Sequence, residues 1–593
     1  MFKDLGAPVK EGAILGQSYV VGQDGSGNQN CIYISLTQYE NSVLLLKYNA
    51  DTNETTQYRA ENNPNISAKQ GAWGIASVGS RVYLGTYYQG HLLRYDAHKH
   101  EMIDLGQAVP GEEYIWSLAY DGKDKLYGGT FPGGKLFALD LNTEMVTDLG
   151  TFDKESVYCR NVRVRNDGKV IAALGSKQMK LGIYDPESNG MSVIPYPEAI
   201  TGFPEMTQDA QGNIFVKAPK SEDLYQVVGN GLIRVEQRGA APELQLSGGR
   251  KVVSVTNTHV TLADQEGNQA AYPLQYESGG LMMWMVHKGP DAKIYGSSAL
   301  PLRMFRYDPA TGESVKLGCP TPSSGGEIYS MTNVDGKLYS ASYPGSYIAV
   351  YDPMKPWNVG REAGHNPREI GQIGSRQNRP VSMITGPDGN IYIASIPDYG
   401  EVSGALTRLN PRTEQFTVWR GIVDEQSVYV LDNIPGTRLI CAATTNEVGT
   451  GADRPTLDAR LFIWDIDKEQ KVKEIHPVAG AQQIVSIKHK DGMIYGLTGH
   501  GVLFAYDYEE NRVVWQKEIP IQNAIWPGMD ITDRNIIYGA GDNKLFRYEI
   551  QNDQFSVVAE AEGWLLGFHM DKENNKIYCT PGARLYCYEM EDE

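Results

Sequence analysis

The chain has few cysteines, six in 593 residues, too few for a disulfide framework. One pair, Cys579 and Cys587, flanks a turn at Pro581-Gly582 and is placed to face itself across a hairpin. With no secretion signal in view, two reduced thiols are expected. Long apolar runs are missing as well. The longest, LMMWMV from Leu281 to Val286, is far too short to cross a bilayer, so no membrane partner is expected. The first residues, MFKDLGAPVKEG, lack the apolar core of a signal peptide, which predicts a cytoplasmic protein. No stretch has convincing helical periodicity. Positive charge is in deficit: 54 Lys and Arg against 72 Asp and Glu give a formal net charge of -18. No Lys/Arg stripe offsets it, which argues against nucleic acid; an anionic ligand would need a local arginine cluster. There is no GxxxxGKS/T and no HExxH. Asp24-Gly-Ser-Gly-Asn-Gln begins like a calcium loop but lacks its later glycine and glutamate. The ten histidines show no metal-ligand spacing, so neither metal nor cofactor is expected.

What is present is tyrosine, 36 against 13 phenylalanines, which suits many half-buried strands because the ring is apolar and the hydroxyl polar. It falls in a repeat. Arg81 to Gly106, RVYLGTYYQGHLLRYDAHKHEMIDLG, reads as three short strands and recurs from Lys125 to Gly150. One landmark is a strand containing an apolar residue plus tyrosine, as at Val82-Tyr83, Ile294-Tyr295 and Ile391-Tyr392. A second is a strand ending in aromatic-Asp, as at Tyr95-Asp96, Tyr307-Asp308 and Tyr351-Asp352, where the carboxylate is suited to accept the N–H groups of the next turn. A third is a short closing strand such as Ile103 to Gly106. With the strand before each tyrosine strand, the unit has four antiparallel strands in ~45 residues, the size of a propeller blade. Thirteen such units are counted along the chain. One ring typically holds about 4–8 blades, so two rings are predicted: residues 12–275 with six blades and 276–593 with seven. The last unit stops after its third strand, and Phe2 to Gly6 looks like the missing fourth. Residues 1–9 are therefore expected to close the second ring without leaving an open edge. The fold class is all-β.

GPDGNIYIAS, from Gly386 to Ser395, and GVLFAYDYEENRVVW, from Gly501 to Trp515, resemble repeats of the β-propeller superfamily, in particular its PQQ-repeat-like, YVTN-like and virginiamycin-lyase-like groups. The resemblance covers nearly the whole chain and implies a fold, not an activity. A single Trp464-Asp465 dipeptide departs from the WD40 pattern, and the tryptophans of PQQ-type repeats are not in series.

In such a blade, the turns between the second and third strands share a face with the links between blades, and ligands commonly sit there over the channel. On that face of the second ring, one link carries Arg376, Asn378 and Arg379. The next turn carries Asp398 and Tyr399, and a larger insertion runs from Thr444 to Asp458. Tyr343 and Tyr347 flank the turn one blade earlier, and Glu327 is in the link before it. Arginines hold carboxylates through paired contacts, and tyrosines stack on sugars. The corresponding face of the first ring carries Tyr87, Tyr88 and His91. Trp73, Trp116 and Trp284 read as core or channel packing. His365 belongs to the opposite face. The expected function is a lyase acting on acidic, uronate-containing oligosaccharides, an analogy to propeller-fold polysaccharide lyases. Arg376 or Arg379 would neutralise the carboxylate, and Tyr399 or Tyr343 would move the proton; Asn378, Asp398, Tyr347, Glu327, Tyr87, Tyr88 and His91 would contact the sugar. Two alternatives are a non-catalytic double-propeller scaffold for a protein or glycan, and a hydrolase pairing Asp398 with Glu401 or Glu327.

Overall fold

Each repeat folds into a sheet because its central strands are apolar on both faces and its turns satisfy themselves. Tyr295 and Tyr392 are fully buried, and each donates its hydroxyl proton to the aspartate of the turn before it, Asp291 and Asp388, at 3.0 Å. The aspartates that end third strands accept the backbone N–H two residues on: Asp96 from His98 at 3.0 Å, Asp308 from Ala310 at 2.9 Å and Asp352 from Met354 at 3.0 Å. Four third-strand tyrosines bind the residue five places later: Tyr48 reaches Asn53, Tyr184 Asn189, Tyr506 Asn511 and Tyr548 Asp553. Each of these partners has positive φ, a conformation Asn and Asp tolerate better than most residues.

A computed structural model of the protein describes residues 1–40, 43–60, 71–219 and 221–590. Among them lie thirteen four-stranded antiparallel sheets. The chain divides into two compact units, Met1–Lys10 with Gly280–Glu593 and Glu11–Gly279, holding seven and six of the sheets respectively. The architecture is all-β and propeller-like. In the larger unit each first strand packs on the first strand of the next sheet, and Met283–Lys288 packs on Leu565–Asp571. The first strands therefore meet in cyclic order. In the smaller unit the contacts run from Leu244–Gln245 through Tyr19–Gly22, Ala72–Val78, Tyr114–Tyr120 and Ser156–Val164 to Glu205–Gln208. The N-terminal strand Lys3–Asp4 joins the last sheet, with Lys3 opposite Cys587 and Asp4 opposite Tyr586.

Two local expectations are corrected. Cys579 lies opposite Tyr586 and Cys587 opposite Tyr578. The hairpin register is offset by one residue, so the thiols point to opposite faces and stay free. Glu327, Asn378 and Arg379, expected in links, lie inside the first strands Glu327–Val334 and Gln377–Thr385.

Those first strands are irregular in one consistent way. Their ladders skip a residue between Met283 and Met285, Ile328 and Ser330, Val428 and Val430, and Ile484 and Ser486. The extra residues are Trp284, Tyr329, Tyr429 and Val485. Wider breaks hold Val381, Trp526 and Leu566. A bulge bends a strand and re-aims the unpaired side chain. Here all seven re-aimed side chains line the cavities of the larger unit.

Candidate functional site at the mouth of the larger unit

The axis of the larger unit holds a cavity of about 360 Å³ lined by residues from all seven first strands, which makes it the central channel. A second cavity of about 430 Å³ opens at the end where the first strands begin. Trp284, Tyr329, Val381 and Trp526 line both, so the bulge residues form the partition between channel and mouth. The rings interlock: Trp284 lies 5.5 Å from Tyr329 and 5.9 Å from Trp526, and Tyr429 stacks on Trp526 at 5.8 Å. Trp526 donates its indole N–H to the Val381 carbonyl at 3.0 Å, which fixes the partition.

Arg379 lines the mouth cavity. Its guanidinium carbon lies 5.5 Å from the centre of the Tyr343 ring, and its Nη2 donates to Thr450 Oγ1 at 3.0 Å. The Tyr343 and Tyr399 hydroxyls are 3.3 Å apart. Thr450 belongs to the insertion Thr444 to Asp458, whose Glu447 to Arg454 segment forms one cavity wall, with Arg454 bound to Glu447 at 2.6 Å. The insertion is seated by Gly449 N donating to Glu401 O at 2.9 Å and Gly400 N to Thr450 O at 3.0 Å. Gly449 has no alternative there, since a Cβ would lie 1.6 Å from the Asp398 carbonyl oxygen.

Glu327 is buried beside this cluster, and its Oε2 has no hydrogen-bond partner among the described residues. Burial pushes its carboxyl up to about 7, against the opposing pull of a hydrogen bond from Tyr329 and the charge of Arg379. The same burial drives the Tyr329 and Tyr343 phenols well above their ordinary value.

The structure thus brings Arg379, Tyr343, Tyr399 and Glu327 together. Of these only Arg379 lines the mouth cavity; Tyr343, Tyr399 and Glu327, like the other expected residues, lie outside its lining. Arg376 pairs with Glu401 at 2.8 Å and is half-exposed at the rim, where Arg420 shares the same carboxylate at 3.1 Å. Asn378 is buried, accepting the Gly345 N–H at 2.6 Å to tie down the neighbouring turn. Asp398 accepts the N–H of Tyr399 at 2.8 Å. Tyr347 opens its strand opposite Gln372 and is outside the cavity lining. Tyr329, Tyr429, Trp526, Glu447 and Arg454 were not anticipated, and Trp284 was read as packing. One signal for the aromatics is an aromatic at the second or third residue of four of the seven first strands.

At the far end of the channel, His287 and His569 lie 5.3 Å apart. Burial lowers them to about 3 and about 4 respectively. Lys488 sits 3.6 Å from Asp432, and the charges of Asp432 and Asp530 hold it protonated. Among the described residues no cluster of three or more His, Cys, Asp or Glu is arranged to hold a metal ion.

In the smaller unit Tyr87 and Tyr88 join an aromatic cluster. Tyr87 lies 5.9 Å from Trp73 and from Tyr114, and Tyr88 lies 5.6 Å from Tyr114. His91 instead holds Asp104 at 2.9 Å. Trp73, Trp116 and Arg160 occupy bulges, between Ala72 and Gly74, Ile115 and Ser117, and Cys159 and Asn161.

Compared with known proteins, the chain matches no family model and no curated protein.

Proposed function

We propose that the larger unit is a lyase acting on acidic, uronate-containing oligosaccharides at the mouth of its channel. The observation that carries this reading is Arg379, which lines an aromatic cavity and lies over the Tyr343 ring, close to Glu327, whose carboxyl burial pushes up to about 7. Elimination from a uronate needs those elements. A guanidinium pairs with the sugar carboxylate and stabilises the charge that develops when the neighbouring proton leaves. Glu327 is poised to accept that proton through Tyr329: as the Tyr329 hydroxyl passes its proton to Glu327, its oxygen takes the one from carbon. The C–O bond to the next sugar breaks as the C=C bond forms. Tyr343, neutral because buried, donates its proton to the departing oxygen and is recharged from Tyr399. A group with a pKa near the working pH is the most effective proton acceptor. Arg454, paired with Glu447 at 2.6 Å, lies in the same cavity wall.

One observation is shared with the scaffold alternative. Burial holds both Tyr329 and Tyr343 far from the phenolate form, which suits binding as well as proton transfer. Asp398 and Glu401 are engaged in their own turn and ion pairs, which weighs against a paired-carboxylate hydrolase. The test is incubation with uronate oligosaccharides while following the ultraviolet absorbance of the unsaturated product. Product formation that is lost in Arg379→Ala is expected. Sugar that binds but is never converted would replace the lyase with the scaffold, and no binding across a broad acidic glycan panel would sink both.

A further inference from the structure

The mouth is divided by charge. The cavity at Arg379 contains Arg454 and Glu447 as well. A neighbouring cavity of about 170 Å³ shares its Trp284, Tyr429 and Trp526 walls and continues toward Gln483, Ala524 and Leu566. Among the described residues no charged side chain lines this second lobe. The two lobes are therefore adjacent sites on either side of one aromatic wall, and that wall includes the stacked pair Tyr429 and Trp526, with planes 25° apart.

The chemistry of the lobes differs accordingly. A carboxylate in the first lobe meets the Arg379 guanidinium, since Arg454 is already paired with Glu447. In the second lobe it would lose its hydration with no cation to receive it, which is strongly unfavourable. Sugar hydroxyls have no such difficulty. The Gln483 amide and the Tyr429 hydroxyl are suited to hydrogen-bond them, and the aromatic wall matches the apolar face of a sugar ring. The Trp284 indole N–H, on the shared wall, is buried with no hydrogen-bond partner among the described residues. A buried donor of that kind is satisfied when a ligand oxygen reaches it.

Resting on the lyase reading above, we infer that the mouth takes a mixed oligosaccharide, with an acidic sugar in the arginine lobe and an uncharged sugar directly beside it in the Gln483 lobe. Discrimination comes from the exclusion of a second carboxylate as much as from attraction of the first.

The test uses the full chain and two oligosaccharide series of equal length, one of uronates only and one alternating uronate with neutral sugar. The alternating series is expected to have the higher kcat/KM by about tenfold or more, the usual scale for one mismatched contact. Gln483→Arg adds a cation to the uncharged lobe and should narrow or reverse the preference, and Gln483→Glu should widen it. Equal kcat/KM for the two series overturns the inference while leaving the lyase in place, as does a Gln483→Arg protein, folded by its circular dichroism, with unchanged preference. If neither series is bound, the inference falls together with the site on which it rests.

Discussion

The two units use the same device in their first strands and reach different chemistry. Both use bulges near the start of first strands to turn large side chains out of the sheet ladder. In the smaller unit the bulge in Ser156–Val164 carries an arginine. The Arg160 guanidinium lies 3.6 Å from the centre of the Trp116 ring, 4.9 Å from Trp73 and 5.0 Å from Phe203, so its charge is enclosed by rings. In the larger unit the break in Gln377–Thr385 points Val381 at the channel, and Arg379, two residues earlier, meets the mouth cavity. A shift of an arginine by two positions within equivalent strands separates a cation used in packing from one turned toward a ligand-sized space.

The largest expected effect tests this division directly. Arg379→Ala should lower kcat/KM of the proposed lyase by about 10²–10³-fold, the range for removing one charge-stabilising donor, with little change in the denaturant midpoint. Arg160→Ala should do the reverse: unchanged turnover, but a loss of about 1–2 kcal/mol from the smaller unit, as expected for a partly desolvated cation–π contact. Urea titration beside initial rates measures both, and equal effects of the two variants on turnover would collapse the distinction.

Glu327 offers a sharper contrast: in the smaller unit the buried Glu112 accepts hydrogen bonds from Thr130 Oγ1 at 2.6 Å and Gly133 N at 3.0 Å, whereas Glu327 Oε2 has no hydrogen-bond partner among the described residues. Its pKa rises from 4.5 to about 7 on folding. Between those values the folded protein binds more protons than the unfolded chain. The carboxyl's contribution to stability is therefore complete below about 4.5 and declines as pH rises to about 7. Glu327→Gln should be more stable than the parent above pH 7 and should lose the rate increase that accompanies ionisation near that pH. A parent and variant with parallel stability–pH curves would show that Glu327 is not held protonated.

An effect on stability alone, with no change in turnover expected, lies at the other end of the same channel, where the sign is opposite. His287 and His569 fall from 6.5 to about 3 and about 4, so below about pH 6.5 the unfolded chain binds protons that the folded chain refuses. Stability should fall as pH drops from about 6.5 toward 4 and be flat above. Replacing both histidines with glutamine should flatten that acid limb, as read from melting temperatures across the pH series; an unchanged limb would place the acid sensitivity elsewhere.

Much of the architecture was legible in the chain because blade construction is local. Apolar-Tyr strands, Asp-terminated third strands and a closing strand recur within each repeat, and their hydrogen bonds join residues two to five apart, as with Asp308 and Ala310 or Tyr506 and Asn511. The missing fourth strand of the last repeat was likewise visible as a pattern, and Lys3–Asp4 fills it. The loop logic put Glu327 and Arg379 in links, whereas both lie in first strands, and Arg379 comes to lie over the Tyr343 ring through the fold. That logic also failed for Arg376, Asn378, Asp398 and Tyr347, whose neighbours in sequence have very different surroundings in space.

By itself, then, the sequence determined the all-β repeat, the tyrosine-rich strands and the candidate face, since each follows from periodicity and turn chemistry within a few dozen residues. Only the tertiary structure decided which side chains meet. A bulge shifts the ladder by one residue without leaving a mark in composition, and the cyclic order of the first strands brings Trp284 against Trp526 and Arg379 against Thr450. Whether an arginine is packed like Arg160 or faces a cavity like Arg379 depends on that register and on those distant partners, because electrostatic and packing energies are set by distances in space.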